Sequence, residues 1–198
     1  MEGSENKIFP INRFGVEVIS MGFFLPQGEA VVWRGPMLDK VVTQFIGDVV
    51  WGDLDYLIAD LPPGTGDVQL SLCQKMSITG AVVVSTPQDV ALNIAQKAIA
   101  MFNKLNCKVL GVIENMSWHK CEKCGNIQHI FGHGGAKKMS ENFNVPFLGE
   151  IPLSLKLCQS SDKGVPIVID DPESSESKSI MEIVGKLAST ISVFNKSI

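Results

Sequence analysis

Four short apolar runs, each stopped by a polar residue or a proline, constrain the fold of this chain more than any other feature. Tyr56-Leu57-Ile58-Ala59 stops at Asp60, and Ala81-Val82-Val83-Val84-Ser85-Thr86 stops at Pro87. Lys108-Val109-Leu110-Gly111-Val112-Ile113 runs into Glu114-Asn115, and Phe147-Leu148-Gly149-Glu150-Ile151 is closed by Pro152. Runs that stay apolar, rather than alternating with polar residues, suit strands buried on both faces. Between and after them lie stretches with helical spacing, at Met37–Val50, Asp89–Leu105, Gly135–Phe143 and Ser179–Phe194. Asp89 is placed to cap its helix by accepting from the free N–H groups of the first turn. The polar stretch from Asp170 to Lys178 reads as a surface loop. Strands alternating with helices predict a three-layer α/β fold with a mainly parallel sheet. In such sheets ligands gather at the carboxyl ends of the strands, so the residues that stop each run are the first candidates for function.

Composition removes several classes. The chain has 198 residues, 45% hydrophobic and 19% charged, which suits one domain with a buried core and does not suit disorder. Its formal net charge is −4 and no basic block is present, so binding through nucleic-acid phosphates is not expected. No apolar run approaches the roughly 20 residues that span a bilayer. The first twelve residues lack the basic and apolar parts of a signal peptide. Five cysteines, of which only Cys121 and Cys124 are closely spaced, suit a reducing, cytoplasmic setting. Cys73, Cys107 and Cys158 lie among apolar neighbours and are expected to be packing residues.

Two stretches carry chemistry. In Asp60-Leu61-Pro62-Pro63-Gly64-Thr65-Gly66-Asp67, a carboxylate at a strand mouth suits Mg²⁺. Gly64 and Gly66 would let backbone N–H groups come close to a phosphate. The second stretch is Cys121-Glu122-Lys123-Cys124-Gly125, with Lys120 and Lys123 beside the thiols to favour thiolate. One chain supplies two thiols where a four-iron cluster takes four, which points to a cluster shared across a two-fold dimer. The competing reading is zinc, because Cys121, Cys124, His129 and His133 form C-x2-C-x4-H-x3-H. The glycine-rich Gly132-His133-Gly134-Gly135-Ala136-Lys137-Lys138-Met139 is not a phosphate loop, since it does not fit G-x4-G-K-[ST]. It reads as a turn opening a helix.

The acidic glycine stretch, preceded by Trp33-Arg34-Gly35-Pro36-Met37, resembles the signature of the Mrp family of iron–sulfur cluster carriers. That family belongs to the MinD/ParA-like P-loop ATPases. Ser85-Thr86-Pro87-Gln88-Asp89, Gly111–Ser117, Cys121–Gly125, Gly149-Glu150-Ile151-Pro152 and Asp162–Pro166 follow in the family's order, and the likeness runs from about Gly15 to Ile191. The resemblance implies a Walker B role for Asp60 and a place for Gly64 in the switch beside the γ-phosphate. It implies that Asn115 reads adenine, helped by the backbone at Ile151 and Pro152, and that Cys121 and Cys124 hold a [4Fe–4S] cluster within a homodimer. ATP and Mg²⁺ are then the cofactors and apo iron–sulfur proteins the clients. The family's pattern opens with a strand and a lysine-bearing P-loop, whereas this sequence joins it midway, near Ile8. The expectation is therefore one partial nucleotide-binding domain over 1–198 that does not hydrolyse ATP alone, a separate P-loop-bearing chain being one possible complement. The alternatives are a non-hydrolysing paralogue or gene fragment, and a zinc-stabilised interaction protein.

Overall fold

The computed structural model describes residues 7–24 and 35–195. Trp33 and Arg34, which contribute to the family signature, lie outside these. The chain falls into two compact units, residues 1–77 and 78–198.

The first unit holds a small antiparallel hairpin, β1 (Ile11–Arg13) and β2 (Val16–Val18), turned by Phe14 and Gly15 at φ 53° and 78°. After a 3₁₀ turn at Met21–Phe24 come helices α1 (Gly35–Gly47) and α2 (Asp67–Lys75). The two helices are tied by Asp39, which accepts from Ser71 Oγ and pairs with Lys75 Nζ at 2.6 Å. These bonds hold the Asp39 carboxyl below its usual range, with Lys75 the largest cause and Ser71 the next. Tyr56–Ala59, expected as a buried strand ending at Asp60, forms none: residues 56–60 have no regular secondary structure and no strand partners. Tyr56 is 59% and Ile58 88% exposed, so the run is not buried either. An apolar run becomes a strand only beside an edge that can accept its N–H and C=O groups. Among the described residues of this unit the only sheet is the antiparallel pair β1–β2.

The second unit is the α/β part. Strands β3 (Ala81–Ser85), β4 (Val109–Asn115) and β7 (Phe147–Ile151) form a parallel sheet in the order β3-β4-β7. Between β4 and β7 the chain makes a small antiparallel hairpin, β5 (His119–Lys120) and β6 (Ile127–Gln128). The helices are α3 (Asp89–Lys104), α4 (Gly135–Asn142), α5 (Leu155–Asp162), α6 (Ile167–Asp170) and α7 (Ser175–Asn195). Side chains of successive strand residues point to opposite faces, which identifies the layers. Glu150 lies with His133, just before α4, whereas a Cβ on its neighbour Gly149 would meet Ile183 of α7 at 2.7 Å. The sheet is thus covered by α4 on one face and α7 on the other, a three-layer arrangement.

Only β4 is buried along nearly its whole length; in β3, Val84 is 56% exposed. The core is built from Ile99, Val112, Ala136, Met139 and Leu148, each 2% exposed or less. Gly111 makes room for it. A Cβ there would lie 2.5 Å from Cγ of Leu148, a buried side chain on the next strand with no space to move. Gly111→Ala is expected to destabilise this unit by about 1–3 kcal/mol through overpacking, measured by urea unfolding.

Three expectations need correction. Asp89 is not the cap of α3 but its first residue; Gln88 holds the cap position and makes no side-chain cap bond. The last helix begins at Ser175, inside the stretch read as a loop, because the hydroxyls there turn inward. Ser177 Oγ donates to the carbonyls of Ile167 and Asp171, and Ser174 Oγ donates to Asp171 O and accepts from Ser177 N. Cys158 is exposed, with Sγ 3.9 Å from Asp162 Oδ2, while Cys107 is buried as expected and Cys73 is half-buried.

Candidate functional site

The candidate residues divide between the units. In the first, Asp60 is exposed and the loop after it climbs to the start of α2. Gly64 sits at φ 99°, a conformation that glycine adopts without strain. The loop is held from below by Gln69, whose Nε2 donates to Pro62 O at 2.7 Å and Gly64 O at 3.2 Å. Gln69 is buried, and its Oε1 is buried without a partner. Sequence reasoning missed this residue. Its signal was a polar side chain three residues after a glycine turn, on the first turn of an amphipathic helix.

In the second unit, Asn115 is the last residue of β4 and stands in direct register with Ile151, the last residue of β7. Pro152 follows and is buried. The expected base-reading group is therefore brought together at the carboxyl ends of two parallel strands. Asn115 Oδ1 accepts from Met116 N at 2.9 Å, and Met116 takes φ 56°. That bond fixes the amide plane and leaves Nδ2 to donate and one Oδ1 lone pair to accept. Ser117 N donates to Ile151 O and Leu153 N to Trp118 O, so the chain leaving β4 stays stitched to the chain leaving β7.

From this stitched stem projects the β5–β6 hairpin with the two thiols at its tip. His119 anchors it, with Nδ1 3.1 Å from Leu153 O. Cys121 N donates to Asn126 O and Gly125 N to Cys121 O, closing a tight turn in which Gly125 takes φ 72°. Cys121 is half-buried and Cys124 exposed. The Cys121 thiol is held below its ordinary value by the backbone N–H of Cys124 first, then that of Lys123, and then the Cys124 side chain. Burial and the Glu122 charge oppose this. The lysines were expected to favour thiolate through their charge; the lowering comes instead from the backbone of the turn. Alkylation of Cys121 by iodoacetamide is expected to reach half its maximal rate at a lower pH than for free cysteine, followed by peptide mass mapping. The sign follows from the lowered value: more thiolate is present at any pH below the ordinary thiol range.

The histidines of the zinc pattern do not join the thiols. His129 Nδ1 lies 3.1 Å from Ser117 O, and His133 Nε2 3.1 Å from Glu150 Oε1. Among the described residues, no cluster of three or more possible ligands combines the cysteines with these histidines. Glu114, unremarked in the sequence, is completely buried and accepts from Ser117 Oγ, Gly134 N and Ala136 N. It thereby caps α4, whose N-cap Gly134 is left-handed at φ 75°. The glycine-rich stretch is the helix-opening turn its sequence suggested.

Residues 1–188 match the family described as ParA: NUBPL iron-transfer P-loop NTPase. The chain belongs to this family. A relative from Deinococcus radiodurans named iron-sulfur cluster carrier protein is 50% identical over 189 residues, covering 96% of this chain and 53% of its own length. The iron-sulfur cluster transfer protein NUBPL of Dictyostelium discoideum is 39% identical over 190 residues, covering 96% of this chain and 59% of its own. The chain thus spans between half and two thirds of the length of these relatives. Among solved structures, a nucleotide-binding protein of Archaeoglobus fulgidus in complex with ADP superposes with a TM-score of 0.69 at 35% identity. The match covers 86% of this chain and 65% of that one. The MinD cell-division ATPase of Pyrococcus furiosus superposes with a TM-score of 0.56 at 20% identity over 81% of this chain and 63% of that one, and shares the fold. The family model reaches across both units, including the Asp60 loop and the cysteine hairpin. No helix among the described residues is long and apolar enough to cross a membrane.

Proposed function

We propose that this chain is the cluster-holding part of an iron–sulfur cluster carrier that acts as a soluble, cytoplasmic homodimer. Cys121 and Cys124 of two copies supply four thiolates to one [4Fe–4S] cluster, which is cargo for apoproteins. The observation that carries this reading is the hairpin tip, where a tight turn closed by Cys121 N to Asn126 O and Gly125 N to Cys121 O holds the two cysteines and leaves Cys124 exposed. The backbone of the turn favours the Cys121 thiolate without adding a ligand, and a pair with one half-buried and one exposed thiol leaves space for a second pair to approach. The names of the relatives support the same reading. The zinc alternative is weakened, since the two histidines it needs are engaged elsewhere.

For nucleotide, the registered strand ends at Asn115 and Ile151 fit one flat edge of a base, with Pro152 beside it. Asp60 would hold Mg²⁺ and the N–H groups around Gly64 would face a terminal phosphate. ATP bound there would supply the free energy for conformational switching in the intact protein. On this reading the residues present would position the base and the metal, while none of them would replace a phosphate-cradling loop. Anaerobic reconstitution with iron and sulfide, followed by iron counting and measurement of molecular mass, tests the cluster reading.

A further inference from the structure

Two sequence features find no use at the thiols: the pair His129 and His133, and the glycine turn at 132–135. The fold gathers them around Glu114 and Glu150, which are direct register partners on β4 and β7. One oxygen of each glutamate and a ring nitrogen of His133 all lie within 4.8 Å of one another. We propose that Glu114, His133 and Glu150 form a second metal site, separate from the cysteine pair, for a divalent transition-metal ion of the zinc or ferrous class.

The distances suit an ion. His133 Nε2 and Glu150 Oε1 are 3.1 Å apart, the separation of two ligands that each sit roughly 2.0–2.2 Å from a shared metal. The charges call for one. Two carboxylates stand side by side on neighbouring strands, and Glu114 is fully buried. The three donors bonded to it, Ser117 Oγ, Gly134 N and Ala136 N, carry no formal charge. Of its oxygens, Oε2 accepts from Ala136 N alone and so keeps a lone pair. A bound cation would offset both negative charges at once.

The surroundings also resemble a ligand-orienting shell. Ser117, itself completely buried, donates its hydroxyl to Glu114 and offers its carbonyl to His129 Nδ1. The His129 ring in turn packs on His133 at 4.2 Å between centroids. One residue thus fixes a carboxylate ligand and braces the histidine ligand, as outer-shell partners in metal sites do. A nitrogen with two carboxylate oxygens suits zinc, cobalt or ferrous iron better than magnesium, which prefers oxygen, or soft ions, which prefer sulfur. The side chains of His133 and Glu150 are 45% and 26% exposed, so an ion can enter from solvent and settle against Glu114. Three protein ligands leave a coordination position for water. The site directly flanks Asn115 and Ile151, so occupancy would pin the strand ends at the proposed base-reading residues.

The test uses Co²⁺ as probe on the full 198-residue chain carrying Cys121→Ser and Cys124→Ser, so its outcome is independent of the cluster reading. Calorimetric and visible-absorption titrations are expected to show about one Co²⁺ per chain, the count for one three-ligand site. His133→Ala or Glu150→Gln in that background is expected to weaken binding by about tenfold or more. Glu114→Gln would disturb the buried cap of α4, so the two partly exposed ligands are varied instead, with circular dichroism confirming the fold. Absence of saturable cobalt binding, or binding that both variants leave unchanged, would overturn the proposal.

Discussion

Reconstituted anaerobically, the unaltered chain is expected to hold one sulfide-bridged cluster of about four iron per two chains and to run as a dimer, whereas Cys121→Ser or Cys124→Ser assembles no cluster. The effect is all-or-none because of symmetry. Each substitution made in one gene is present in both copies, so a single exchange removes two of the four thiolates. Serine is a poor substitute, since a hydroxyl ionises far less readily than a thiol and binds iron less well than a thiolate does. The two thiols should therefore be equally indispensable, although Cys121 is half-buried and Cys124 exposed. His129→Ala and His133→Ala are expected to leave the cluster intact, because their rings are bonded to Ser117 O and Glu150 rather than to the hairpin tip. Iron content and absorbance, with mass from light scattering, decide the matter. Undiminished cluster absorbance and sulfide content in Cys124→Ser would end the shared-cluster reading. One zinc per chain, lost on Cys121→Ser as well as on His129→Ala, would favour the zinc reading instead.

The parts of this protein that were readable in its sequence are those where local chemistry and fold demand the same thing. The run Lys108–Ile113 asks for burial on both faces, and β4 receives it. Asp89–Leu105 has helical spacing and is a helix to within a residue, and the glycine turn before α4 was evident from its composition. Asn115 and Ile151–Pro152 were placed together through family resemblance, and the register of β4 with β7 makes them neighbours. What was not readable depends on partners distant in sequence. Tyr56–Ala59 has the composition of a strand, but composition does not say whether an edge is available beside it. The serines at 174 and 177 look like loop residues until their hydroxyls are seen turned toward carbonyls of α6 and its end. Glu114 could have been suspected, because a carboxylate at the end of an apolar run must find donors if the run is buried. Gln69 offers a similar lesson: its amide matters only because the backbone of the glycine loop comes within reach of it.

For the 198-residue chain on its own, Mg-ATP is expected to bind no more tightly than about millimolar, and no phosphate release is expected. The sequence contains no G-x4-G-K-[ST] run, and that run is where P-loop proteins place a lysine and several backbone N–H groups on the phosphates. Hydrogen bonds to charged groups are worth roughly 1.5–3 kcal/mol each, so about four of them amount to something like 6–12 kcal/mol. A micromolar site needs about 8 kcal/mol in all, and a millimolar one about 4. Such contributions are not strictly additive, yet the shortfall is as large as the whole affinity. On the proposed reading the chain offers an amide and a backbone edge at Asn115 and Ile151 for the base, and an exposed carboxylate at Asp60 for the metal. Base contacts alone do not hold a triphosphate in line for attack, and Mg²⁺ at Asp60 has little to polarise unless the phosphates are fixed beside it. Isothermal titration and phosphate-release assays on the purified chain measure both quantities. Repeating them after adding the P-loop-bearing segment of a relative, as a separate chain or a fusion, tests the same arithmetic from the other side. Affinity should then rise by several orders of magnitude, and Asp60→Ala should remove the turnover that appears with it. Hydrolysis by the unassisted chain that disappears in Asp60→Ala would show that the loop around Gly64 does what four missing hydrogen bonds were thought to do.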